Sequence, residues 1–449
     1  MSCLLSAGSA LAGESSHPHC QLQSVEFEGW QAEQISNTWV RLTVVPQLGG
    51  RLMQVRFGDH DYLFVNPEYK GKYFPPSEGD GKGKWFNYGG DKIWPMPEGL
   101  NDDHHWPGPL ADVLDDGAYK LTVVSQDPTC TVKLDGPPDP KTGLQYSREI
   151  TLTRDSPEIS FRASMKNIVG HAIDWSMQSV SQYDTSDRHN DGNYNRDFWA
   201  FTPVNAQSAY FNSYQVRDGL ADDPSFEVDD HLFKLHWLYL ENEVWLDSNA
   251  GWLAVVDGSS RYAMVERFQY DKSAEYPGKA TLIFYKNGAA LALDPNGMPA
   301  LRSSIPSNTP FYMEAEINSP IVHLQPGESY SMTTHWFPTS ADHDFETVTD
   351  VALIDRPLVA MSNADGLLLS GSFGVFFPGE LIAHSFNRRG VEIGAISLLS
   401  VDPSNSVELH QQIKLSPSAV RVAIHLVDDD GIDRGSVGEV SISKAERGS

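Results

Sequence analysis

The chain has 449 residues, 40% of them hydrophobic, and carries a formal net charge of −27. Those values allow a sizeable core and exclude global disorder. With 33 Lys and Arg against 60 Asp and Glu, the balance argues against nucleic acid and anionic membrane surfaces as partners, although a local basic patch could still meet an anionic glycan.

The chain opens on a stretch with small residues around Ala10-Leu11-Ala12, the A-x-A pattern of a signal-peptidase site. Residues 1–20 are therefore expected to be a signal-like or flexible N-terminus, and the protein to be periplasmic or secreted. The three cysteines are Cys3, Cys20 and Cys130. Cleavage after Ala12 would leave Cys20 and Cys130, and spacing alone does not say whether they pair. No stretch is long and apolar enough to span a membrane.

Helical periodicity is scarce and strand alternation is common. Alternating runs lie at 39–45, 119–125, 158–166, 173–180, 252–257, 262–270, 280–286 and 329–337, separated by Gly, Pro, Asn and Asp clusters. This pattern predicts an all-β chain of sandwich or barrel type. Residues 66–118 and 184–232 read as two long connections, and the Trp residues within them favour ordered, functional loops. A boundary is expected near 340–350, dividing a large domain over 21–345 from a small immunoglobulin-like β-sandwich over 346–449. Asp428-Asp429-Asp430-Gly431 reads as a solvated hairpin turn.

Three features could carry chemistry. In 311–318 (FYMEAEIN), a period of two places Glu314 and Glu316 on one side of a strand, about 7 Å apart. Facing a cleft, each would raise the pKa of the other, which is how acid/base pairs arise; on a solvent face they would be ordinary. In 85–97, Gly89-Gly90 allows positive φ, and Tyr88, Asp91 and Lys92 crowd around that turn between Trp85 and Trp94. Neither phosphate-loop spacing occurs there. Residues 184–197 are rich in oxygen ligands without the order of a calcium loop. His104-His105 sits in a polar run that fits a plain turn as well as a site, and adjacent histidines make a poor metal pair. Arg148 fits either a structural ion pair or a substrate contact. No serine elbow or nucleophilic cysteine context is present, and no metal or cofactor is called for.

Around these features the sequence resembles the aldose 1-epimerase (galactose mutarotase) superfamily. The stretch 43–52 (TVVPQLGGRL) looks like the opening of such sequences, and 311–330 (FYMEAEINSPIVHLQPGESY) is similar to their late strand, with its Glu, Pro and L-x-P-G-E. Residues 88–95 (Y-G-G-D-K-x-W-P), Trp106-Pro107 and Gly143-Leu-Gln145-Tyr-Ser-Arg148 match an uncharacterised bacterial branch, over roughly 25–340. The resemblance implies a galactose mutarotase-like β-supersandwich with a sugar cleft on its concave face and Glu314 as base. It also implies that Glu266 lies near the cleft. The superfamily's histidines are replaced: their positions read Tyr88 and Gln178 or Gln182.

Three functions stay open on these residues. The first is aldose 1-epimerase-like acid/base chemistry on a sugar, with Glu314 as base and Tyr88, Lys92, His104 or His105 as acid. The second is a polysaccharide lyase acting on uronates, with Tyr88 or a histidine as base and Arg148 and Gln178 neutralising the carboxylate. The third is a non-catalytic carbohydrate-binding protein. In each, Asp91, Trp94, Trp106, Arg148, Gln178, Glu266 and Glu316 are candidate sugar contacts, and the partner is a sugar or oligosaccharide.

Overall fold

The computed structural model describes residues 20–76, 85–99, 104–110, 113–229, 231–289, 292–293, 299–300 and 310–442. The fold is nearly all β, as the alternation predicts. Among the described residues, helix amounts to one turn at Val113–Asp116 and short 3₁₀ turns such as Pro277–Lys279. No helix among them is long and apolar enough to cross a membrane.

Two large antiparallel sheets face each other. The first has twelve strands, and its central order is Arg51–Phe57, Asp91–Met96, Ile173–Asp184, Tyr312–Asn318, Leu282–Lys286 and Asn242–Leu246. The second has ten strands, with Tyr262–Phe268, Ser329–Ser340, Ile159–Asn167, Leu144–Leu152 and Cys130–Asp139 as neighbours. Alternation sorts each strand. Along Tyr312–Asn318, Met313, Ala315 and Ile317 are fully buried toward the second sheet, and the even-numbered residues face the other way. Leu282, Phe284, Val244 and Leu246 extend the same apolar face on the neighbouring strands. Burying each large apolar side chain stabilises the sandwich by about 1.5–3 kcal/mol.

The strands from Thr347 onward form two four-stranded sheets. Their apolar layer is continuous with the large sandwich: the Phe337 and Phe376 rings stack at 5.0 Å. The strand Gly379–Phe386 lies inside one of these sheets. Asp428–Gly431 forms the turn between Arg421–Asp428 and Asp433–Ser441, and Asp428 Oδ2 accepts from Arg434 Nε at 2.6 Å.

The two long connections are a correction. The first contains the strand Asp91–Met96, which pairs with Ile173–Asp184 in the middle of the large sheet. All six of its residues are buried, so no polar face alternates with an apolar one to mark it as a strand. Pro95 is tolerated because this strand meets Arg51–Phe57 only at Leu52↔Asp91, leaving its other side unpaired beyond that point. The second contains Phe198–Pro203, Gln215–Gly219 and Phe226–Val228. Cys20, just before the edge strand Gln21–Phe27, and Cys130, in the opposite sheet, form a disulfide with a Cα–Cα separation of 5.7 Å.

Candidate active site

The outward face of the twelve-stranded sheet is aromatic at its centre. Period-two alternation delivers Lys92, Trp94 and Met96 from one strand, Gln178 and Gln182 from the next, then Glu314 and Glu316, then Ile283 and Tyr285, then Glu243 and Trp245. A cleft of about 410 Å³ opens there, and Trp85, Trp94, Trp245, Tyr285, Gln178, Glu98, Glu243, Glu314 and Glu316 line it with Met96, Gly99, Pro109 and Ile283. Among these lining residues there are four carboxyl groups and no cation.

Beneath that surface lies a chain of polar contacts. Arg51 Nη2 and Trp94 Nε1 each donate to Asp115 Oδ1 at 2.7 Å. Lys92 Nζ sits 4.5 Å from the Trp94 ring centre and donates to Glu314 Oε1 at 2.9 Å. Gln182 Nε2 donates to the same oxygen at 2.6 Å. Gln178 Nε2 donates to Glu316 Oε2 at 2.5 Å. Two glycine turns bring these parts together. A Cβ on Gly49, at φ +62°, would overlap the Asp115 carbonyl; one on Gly89, at φ +94°, would overlap that of Phe64.

Burial and crowding set the protonation of the cleft. The Glu316 carboxyl is held well above the usual carboxylate range, first by burial and then by repulsion from Glu314, Glu243 and Glu98. Glu243 is pushed up by burial, against the hydrogen bond it receives from Trp245. Glu98, at the rim, is pushed up to about 7 by desolvation and by repulsion from Glu243 and Glu314. Burial pushes the Lys92 ammonium down, and Glu314 opposes that shift. The arrangement places a proton-holding Glu316 two residues from a Glu314 that accepts two donors.

The other candidate residues lie elsewhere. Asp91 and Arg148 form a buried ion pair between the two sheets, and Ser181 donates to Asp91 at 3.1 Å. Glu266 belongs to the same interior layer: it accepts from the Tyr183 hydroxyl, and burial pushes its carboxyl up to about 8. These groups alternate away from the cleft, so Asp91, Arg148 and Glu266 hold the sheets together rather than reach it. Tyr88 is fully buried in a side cluster with Trp30 and Phe86, and its oxygen accepts the Phe74 N–H at 2.9 Å. Trp106 is fully buried 5.4 Å from Trp94 and backs it. His104 is exposed and His105 half-buried; neither is among the described lining residues.

Glu98, Glu243, Trp245 and Tyr285 were not among the sequence candidates. The run 242–246 (NEVWL) alternates Glu243 and Trp245 against Val244 and Leu246, and that signal could have found two of them.

No family model matches the chain, and neither does any curated protein. Solved structures similar to it include a TPR-domain containing protein from Parabacteroides distasonis, at 15% identity over 71% of this chain and 49% of that one, TM-score 0.45. The chain thus spans about half the length of that protein. A galactose mutarotase-like protein from Clostridium acetobutylicum matches at 10% identity over 71% and 98%, TM-score 0.43. A galactose mutarotase related enzyme from Lactobacillus acidophilus matches at 11% over 70% and 100%, TM-score 0.41. Likeness at this level carries no residue-by-residue correspondence.

Proposed function

We propose that the chain binds a sugar in this cleft and catalyses aldose 1-epimerase-like proton transfer, with Glu314 as base and Glu316 as acid. The observation that carries the reading is the pairing of those two carboxyl groups on one face, in a cleft walled by Trp85, Trp94 and Trp245. Tryptophan faces suit the apolar C–H faces of a sugar ring. Glu314 would take the proton of the anomeric hydroxyl while Glu316 gives one to the ring oxygen. The ring C–O bond breaks, the open-chain aldehyde forms, and rotation followed by the reverse transfers closes the other anomer. Burial and the neighbouring carboxyls hold Glu316 well above the usual carboxylate range, which suits it to give the proton. The proton donor that the sequence left among Tyr88, Lys92 and the histidines is assigned here to Glu316.

The lyase reading finds less support. Among the described lining residues a uronate carboxylate would meet four carboxyl groups and no cation, and Arg148 is occupied by Asp91 between the sheets. The Y-G-G-D-K-x-W-P branch remains a sequence resemblance. The Cys20–Cys130 disulfide supports export to an oxidising compartment.

The test is a panel of neutral and uronic sugars. Accelerated anomer exchange by proton NMR, lost in Glu314→Gln, is the expected result. Absorbance growing near 235 nm with a uronate would instead establish elimination, and binding without either signal would leave a carbohydrate-binding protein.

A further inference from the structure

A second groove lies away from the cleft, at one end of the sandwich. It encloses about 480 Å³ between the turn at 36–40 and the turn at 153–156, and Trp39, Arg41, Arg56, Arg154 and Asp155 line it. Asn37 ties the two turns together, its Nδ2 donating to the carbonyls of Thr153 and Ser156 at 2.8 Å each. The groove is therefore built, not a chance fold of surface side chains.

Its charge runs against the rest of the molecule. Among the described lining residues, three guanidinium groups meet one carboxylate, in a chain of net charge −27. Arg41 and Arg56 are direct cross-strand partners in the ladder of Val40–Val45 with Arg51–Phe57. Like charges placed directly opposite destabilise a sheet. Local carboxylates relieve this little: Arg56 reaches Asp61 at 3.4 Å and Arg154 reaches Asp155 at 3.0 Å, all four about half exposed. Arg41 has no ion pair among the described residues. A ligand anion between Arg41 and Arg56 would turn that repulsion into two attractive contacts, and guanidinium forks match carboxylate and sulfate oxygens.

Trp39 supplies the other half of a recognition pair. It is half-buried and also lines the adjoining cavity of about 660 Å³ against Pro378, Glu380 and Asp402 of the C-terminal strands. Beyond Trp39 the walls are acidic, so an anionic group is directed to the arginine side while a ring stacks on the indole.

We propose that this groove binds an oligosaccharide carrying carboxylate or sulfate groups, separately from the sugar cleft. The proposal does not depend on the cleft's chemistry. The test is calorimetric titration of the full chain with oligogalacturonate, sulfated dextran and neutral dextran. At least one anionic glycan is expected to bind, more weakly as salt rises, and neutral dextran to bind at least tenfold less tightly. The Arg41→Ala/Arg56→Ala double variant should lose affinity at least tenfold with an unchanged or higher melting temperature. Trp39→Ala should also weaken binding, whereas Arg162→Ala, on an exposed face of the second sheet, should not. Should the double variant fail to fold, Arg154→Ala serves in its place. The proposal is overturned by absence of binding, by equal loss in Arg162→Ala, or by equal affinity for single-stranded DNA, which would mark plain charge attraction.

Discussion

Lys92 Nζ lies 2.9 Å from Glu314 Oε1 and 4.5 Å from the centre of the Trp94 ring. The ammonium is buried, with a carboxylate on one side and an indole face on the other, so it steadies Glu314 from beneath without entering the cleft. Removing one charge of a buried pair strands the other, at a cost of about 3–5 kcal/mol. Burial already pushes the Lys92 pKa down, which lets the amine release its proton when its partner is gone.

Glu314→Gln is expected to lower turnover by roughly 10²–10⁴-fold, the range for losing a general base. It should also lower stability, because Lys92 loses its counter-charge. Adding Lys92→Met should restore most of the stability while leaving turnover absent. Denaturant melts and anomeric-exchange NMR separate the two effects; recovery of activity in the double variant would remove Glu314 from the chemistry.

Glu266 should make stability depend on pH. Its folded pKa is about 8 against a reference of 4.5, so the native state binds the extra proton in between. Its contribution is therefore full below about 4.5 and lost as pH rises toward 8, by an amount on the order of 5 kcal/mol. Glu266→Gln should flatten this slope. His60, pushed down to about 3 by burial, acts oppositely and loses stability as pH falls from 6.5. Comparing wild type and variant at pH 5 and pH 8 isolates the Glu266 contribution, and identical slopes would refute it.

Tyr88→Phe is expected to leave turnover intact. The phenol oxygen accepts the half-buried Phe74 N–H beside a side cluster, so its loss should cost about 0.5–1.5 kcal/mol, the net worth of one hydrogen bond. A large fall in kcat with the melt unchanged would return Tyr88 to the list of proton donors.

Cys130→Ser should lower stability by about 2–5 kcal/mol, the usual cost of losing a native disulfide. Mass spectrometry of the unreduced protein should find Cys20 and Cys130 in one cross-linked peptide; free thiols on protein recovered from an oxidising compartment would contradict the pairing.

Much of this was legible where one face of a strand is polar and the other apolar. The run Ile159–Asn167 is such a strand, buried at every second residue. The Tyr312–Asn318 strand declared its two carboxyls the same way, and alternation placed both in the cleft. Asp91–Met96 was illegible as a strand because it is buried on both faces. The roles of Arg148 and Asp91 were illegible for a related reason. Sequence marks them as charged, but only the register of two sheets reveals that they meet in the interior. Glu98 enters from a rim that no local pattern ties to Glu314.

The Cys20–Cys130 link has a mechanical consequence. Gln21–Phe27 is the outermost strand of its sheet and largely exposed, the kind of edge that frays first and offers itself to other chains. Cys20 fastens the start of that strand to the opposite sheet. Peeling it away would require pulling against a covalent rivet rather than breaking hydrogen bonds one by one. The sandwich is thus closed at the seam where it would otherwise unzip, and resistance to proteases should fall sharply once the rivet is cut.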